Sequence, residues 1–201
     1  GAHDLGVRVM MDLVINHTSK DSPLTRQHPA WYRWSPDGQL VSPYAVDPDD
    51  PSKITVWGDL AEIDNAGSAD REGLWNYWAA LVERALDLGF DGFRCDAAYM
   101  VPAELWRFLI DRAKSRRPDV LFFAETLGSS EERVLALAEA GFDYFFNSSK
   151  WWNFRDAWAL DQHRTFGRIA PSISFPETHD TPRLADETGG DEAIQRQRYA
   201  F

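Results

Sequence analysis

Three carboxylates stand far apart in the chain: Asp96, Glu125 and Asp180, separated by 29 and 55 residues. Each follows a short apolar run. Arg94 precedes Asp96 by two residues, Glu177-Thr178-His179 leads into Asp180, and Asp12 with Asn16-His17 marks a fourth such place. Carboxylates gathered in one cavity can divide acid–base work. One, ionised, attacks an anomeric carbon, while another, kept protonated by its surroundings, donates to the leaving oxygen. Residues two apart on a strand share a face, so Arg94 points the same way as Asp96, and a cation there holds it ionised and oriented. Cys95 alternates to the opposite face and reads as packing rather than as a nucleophile. Taken singly, these residues are ordinary. A strand-end Asp is more often a helix cap or loop residue, a lone His17 a structural hydrogen-bonder, a lone Arg94 an ion-pair partner. Four polar constellations at four strand ends favour a functional reading.

The elements that must position them are legible as alternating runs. Residues 7–15 form a near-continuous apolar stretch, the pattern of a strand buried on both faces of a parallel sheet. Shorter runs at 90–96, 120–125, 142–146 and 172–175 predict four more strands. Helical spacing predicts helices at about 71–88, closed by Gly89, and 103–115, before Pro118. Others follow at about 130–140, opened by Ser130 and stopped by Gly141, and at about 153–165 and 190–201. Strands alternating with helices imply α/β architecture with a parallel sheet. The 29-residue spacing is then one βα unit and the 55-residue spacing two. In a β/α barrel the C-terminal strand ends converge on one mouth, where catalysis sits. Residues 16–67 show no periodicity and carry six prolines. They read as a long excursion, of the kind that usually has a function.

Composition narrows the classes. The chain has 201 residues, 44% apolar and 13% aromatic, enough for a substantial core. A net charge of −11 argues against a nucleic-acid or anionic-membrane partner, because such surfaces recruit Lys and Arg. One Cys excludes an intramolecular disulfide and a Cys-based structural zinc site. No stretch approaches the roughly 20 apolar residues of a membrane helix. No basic segment with an apolar h-region opens the chain, which favours a cytoplasmic expectation.

Several segments carry a family resemblance. Asp12-Leu13-Val14-Ile15-Asn16-His17 resembles the first signature of the α-amylase family of glycoside hydrolases. Gly92-Phe93-Arg94-Cys95-Asp96-Ala97-Ala98 is similar to the second, Ala124-Glu125-Thr126 to the third and Phe175-Pro176-Glu177-Thr178-His179-Asp180 to the fourth. Leu60-Ala61-Glu62-Ile63-Asp64-Asn65 is similar to a short fifth signature. The resemblance implies roles at these positions. Asp96 would be the nucleophile, Glu125 the general acid and then base, and Asp180 the third carboxylate. Arg94 would orient Asp96, His17 and His179 would bind the sugar, and Asp12 would support them. Trp57, Tyr99 and Phe175 would be candidate stacking surfaces. Retention of α configuration would follow, with the Asp96 and Glu125 carboxyls about 5–5.5 Å apart. The chemistry requires no cofactor. Many members hold a structural Ca²⁺, for which Asn16 and Glu62 would be the oxygen donors here, although Tyr99-Met100 stands where a Lys-His pair is common. The stretch 28–38 resembles loops of members acting on maltosyl or trehalose-type substrates.

The resemblance implies a partial (β/α)8 TIM barrel. The five expected strands would be about the third to the seventh, residues 1–201 would form one partial catalytic domain, and the excursion at about 16–70 would follow the first strand present. A five-stranded arc would expose two edges and an apolar interior, so the isolated chain is expected to self-associate and to be inactive by itself. The partner expected is an α-glucan or oligosaccharide. The leading expectation is a retaining α-glycosidase, with an α-glucan transglycosylase (a maltosyltransferase or trehalose-related enzyme) as its alternative. A non-catalytic glucosidase-like scaffold would usually have lost carboxylates that are all kept here. A metal-dependent hydrolase built on His17 and His179 would need a multiple-His pattern that is missing.

Overall fold

A computed structural model describes residues 1–46, 50 and 52–200. In chain order it contains β1 (Met10–Leu13), β2 (His17–Ser19), α1 (Leu24–Gln27), β3 (Tyr44–Val46), β4 (Ile54–Val56), β5 (Leu60–Glu62) and α2 (Arg71–Asp87). Then follow β6 (Gly92–Cys95), α3 (Ala103–Arg116), β7 (Leu121–Ala124), α4 (Glu131–Leu135), β8 (Tyr144–Phe146), α5 (Trp158–Phe166), β9 (Ser172–Ile173), α6 (Leu184–Glu187) and α7 (Glu192–Ala200). The five expected strands are β1, β6, β7, β8 and β9, in that spatial order, and all four pairings are parallel.

Register decides which side chains meet. Asp12 lies opposite Arg94, and Arg94 opposite Phe123. Phe123 lies opposite Tyr144. With the two-residue alternation of a strand, this row shares one face, and Asp96, Glu125 and Phe146 form the next row on that face. The other face carries Leu13, Phe93, Cys95, Phe122, Ala124 and Phe145, all fully buried. Phe93 and Phe122 stack there at 5.0 Å. Leu74, Trp78 and Val82 of α2, and Leu105, Trp106 and Leu109 of α3, belong to the same core. Gly92 makes the close approach of β6 to β7 possible: a Cβ there would sit 2.6 Å from the Leu121 carbonyl oxygen.

Most elements are shorter than expected, for local reasons. Residues 7–9 lie outside β1 because Val9 N–H is taken by the Asp91 carboxylate at 2.7 Å rather than by a strand neighbour. The expected helix at 130–140 stops at Leu135. It gives way to tighter i→i+3 bonds (Leu137 to Val134, Ala138 to Leu135, Ala140 to Leu137) before Gly141 turns at φ +93°. The expected helix at 153–165 begins only at Trp158, because Asn153 Oδ1 accepts from Arg155 and Asp156 N–H in a turn. Phe201, at the end of the expected last helix, lies outside the described residues. The excursion is not without structure. It holds two antiparallel pairs, β2 with β5 and β3 with β4, which lack the length to declare themselves as alternating patterns.

Among the described residues β1 and β9 are the sheet's edges. The face bearing Phe123, Tyr144 and Phe146 is only half-buried, and these rings contact one another edge-on at 4.7 and 6.3 Å. A polypeptide of residues 1–201 is therefore expected to self-associate. Light scattering should give a mass above the 22.9 kDa of one chain; a monodisperse monomer would count against this.

Candidate active site

The row Asp12–Arg94 and the row Asp96–Glu125 lie at the C-terminal ends of β1, β6 and β7. Arg94 Nη1 donates to both Asp12 oxygens, at 2.8 and 3.0 Å, and to Asp96 Oδ1 at 2.8 Å. One guanidinium nitrogen thus serves two carboxylates from neighbouring strands. Burial works against the charge on Arg94, but Asp12 and Asp96 together outweigh it and hold the guanidinium above its ordinary pKa.

Glu125 follows β7 and is only 7% exposed. Its carboxylate accepts from Leu127 N–H at 2.7 Å and from Ala97 N–H at 3.0 Å. Ala97 directly follows Asp96 and adopts φ +42°, a left-handed conformation uncommon without glycine. Glu125 is therefore hydrogen-bonded to the residue that follows Asp96. Burial pushes the Glu125 carboxyl above the usual carboxylate range. Leu127 N–H, Arg94 and Ala97 N–H pull the other way, and Asp96 reinforces the rise. This environment favours the protonated form relative to a solvent-exposed carboxylate.

His17, on β2, is half-buried beside Asn16, with Asn16 Nδ2 and His17 Nδ1 3.5 Å apart. Burial lowers its pKa against the opposing fields of Asp96 and Asp59. His17 is the register partner of Glu62 across β2 and β5. Burial first, then the Glu125 charge, raise the Tyr99 hydroxyl pKa. Arg133 of α4 lies over the Tyr99 ring at 5.8 Å. Cys95 is fully buried, and burial pushes its thiol pKa well up, in keeping with a packing residue on the helix side of β6. Phe175 packs edge-on against Phe146 at 5.3 Å.

Among the described residues, other expected residues make no hydrogen bond or ion pair with this group. Trp57 is 44% exposed, in the turn between β4 and β5. His179 and Asp180 are both exposed and pair with each other at 3.2 Å. Among the described residues no hydrogen bond or ion pair joins them to Asp96 or Glu125. Their loop is closed on itself: Glu177 accepts from Leu184 N–H and pairs with Arg183.

Asn16 and Glu62, the expected calcium donors, do not fit that ion as they stand. The Glu62 carboxylate faces the Arg33 guanidinium at 3.2 Å. No group of three or more His, Cys, Asp or Glu residues is arranged to hold a metal among the described residues. Arg33 and the N–H groups of Ala97 and Leu127 are the contributors the sequence reading missed. Backbone donors leave no residue signature, and Arg33 is one cation in a loop without periodicity.

No family model matches the chain. It is 30% identical over 187 residues, 92% of its length, to an α-1,4-glucan:maltose-1-phosphate maltosyltransferase of Burkholderia pseudomallei. It is 33% identical over 150 residues, 75% of its length, to the enzyme of that name from Mycobacterium tuberculosis. The chain spans only 16% and 20% of these relatives. An α-amylase from Lactobacillus plantarum superposes with a TM-score of 0.68, at 26% identity, over 92% of this chain and 46% of that one. The chain belongs to the α-amylase family. A maltogenic α-amylase from Thermotoga neapolitana gives the same TM-score at 23% identity. The five parallel strands are thus part of an α-amylase-family (β/α)8 barrel, as the sequence reading expected. No helix among the described residues is long and apolar enough to cross a membrane.

The shared guanidinium makes this α-amylase-family site mutually dependent. Arg94→Ala in the full-length protein is expected to cost about 2 kcal/mol in urea unfolding, below the range for fully buried pairs because Asp12 is half-exposed. Asp12→Asn added to it should cost little more. Independent, additive losses would break the account.

Proposed function

We propose that this chain carries the catalytic centre of a retaining enzyme acting on α-glucans or related oligosaccharides. Asp96 attacks the anomeric carbon as the glycosidic bond breaks, and Glu125 gives its proton to the departing oxygen. The covalent glycosyl-enzyme is then released when Glu125, now a base, takes a proton from water or a sugar hydroxyl. Arg94 orients Asp96. Asp12 anchors Arg94, and His17 and Tyr99 border the sugar. Asp180 and His179 act on sugar hydroxyls, and Trp57 offers a stacking face. The observation that supports this reading most is the contrast between two carboxyls linked by one hydrogen bond, Glu125 accepting from the N–H of Ala97, which follows Asp96. One is hydrogen-bonded to a guanidinium, while the other is buried and biased toward its protonated form.

Hydrolysis and transfer share all these residues and differ in what reaches the intermediate. The maltosyltransferase relatives favour transfer to an acceptor sugar as the second reading. Product analysis with and without an added acceptor oligosaccharide separates the two.

Asp96→Ala, which removes the nucleophile, and Glu125→Gln, which removes the proton donor, are each expected in the full-length protein to lose about 10²-fold or more in kcat on an aryl α-glucoside. Near-normal turnover in either sinks the mechanism. The pH profile gives a separate check. The raised Glu125 pKa means that its proton is present in acid and lost as pH rises through the shifted value. kcat/KM should therefore fall on the alkaline side through that group. With a leaving group acidic enough to depart unprotonated, Glu125→Gln should flatten that limb; an unchanged limb would assign it elsewhere.

A further inference from the structure

Arg33 follows a 3₁₀ turn at Pro29–Trp31 and is half-exposed. Its backbone is laid against the end of β5: Arg33 N–H donates to the Glu62 carbonyl at 3.0 Å, and Asp64 N–H donates to the Trp31 carbonyl at 2.8 Å. Its side chain spans two carboxylates. Nε lies 3.2 Å from Glu62 Oε1 and Nη2 3.5 Å from Asp64 Oδ1. Glu62 and Asp64 are themselves largely shielded, with side chains 14% and 26% exposed.

This joint connects the excursion to the site. Glu62 is the register partner of His17 across β5 and β2. Ile63 N–H donates to the Asn16 carbonyl at 2.9 Å. Asn16 and Glu62 are the residues at which the family resemblance would seat a calcium ion, and a third donor would come from near Met100. Here Arg33 and Glu62 face Tyr99 and Met100 across a cleft of about 250 Å³. Calcium requires six to eight oxygens at 2.3–2.6 Å. A guanidinium already engaging the two acidic side chains withdraws them as ligands, and its charge repels a second cation.

We propose that the Arg33 guanidinium is the internal cation of this joint, seated between Glu62 and Asp64, so that the excursion is held on the barrel without a divalent metal. This departs from the calcium dependence common in the family and does not rest on the reaction proposed above.

The test reads stability and metal binding in the full-length protein. The wild-type melting temperature should be unchanged by excess EDTA or by millimolar Ca²⁺, and calorimetric titration with CaCl₂ should show no saturable heat. Arg33→Ala frees both carboxylates. It should melt about 2–4 °C lower and recover part of that loss with Ca²⁺ but not with Na⁺ at matched ionic strength. Arg33→Lys, which keeps a cation, should stay indifferent to Ca²⁺. A wild-type protein that loses stability in EDTA, or binds Ca²⁺ saturably, overturns the proposal. So does an Arg33→Ala protein as stable as the wild type, or one that Ca²⁺ leaves unchanged. Should Arg33→Ala fail to fold, the wild-type titration and Arg33→Lys still decide the question.

Discussion

Two carboxylates on adjacent parallel strands lie within hydrogen-bond reach of a single guanidinium nitrogen, and much of the arrangement around the site follows from that. Asp12 and Arg94 are register partners, so the attraction acts across the sheet, and Asp96 joins it from the next row. Without Arg94, two carboxylates would be left facing each other in a partly shielded place. With it, the strand pairing and the orientation of Asp96 support each other. The registry of β1 on β6 is thereby tied to the geometry of the site, and a one-residue slip would turn Arg94 to the helix side.

Burial biases the Glu125 carboxyl the opposite way, toward its neutral form. Glu125 is given N–H donors that favour its charged form, yet desolvation outweighs them. Ala97 pays for this arrangement with a left-handed backbone. That conformation aims the Ala97 N–H at Glu125. The two carboxyls thus differ in environment although the residue after Asp96 donates to Glu125, which is how neighbouring acidic groups take different protonation roles.

Much of this was readable from residue order. The alternation of apolar runs with helical spacing located all five strands of the sheet and four of the longer helices, because burial on both faces leaves a strong mark on composition. The two-residue spacing of Arg94 and Asp96 placed both on one face, and the 2.8 Å contact follows from it. What could not be read depends on backbone groups and short pairings. The donors to Glu125 are main-chain N–H groups. The strands of the excursion are three residues long, too short for a period to emerge. Arg33 acquires its meaning only when the chain folds back and brings residues 31–33 beside residues 62–64. The closure of the 177–184 loop by Glu177, which accepts from Leu184 N–H and pairs with Arg183, likewise left no mark in the residue pattern.

Cys95 has a practical consequence. It is the single thiol of the chain, has no exposed surface, and lies between the two residues that form the Arg94–Asp96 contact. A thiol-specific reagent can reach it only when β6 parts from its neighbours or from the helices behind them. The rate at which Cys95 reacts is therefore a clock for opening of the sheet at the site itself, built into the native sequence and needing no engineered label.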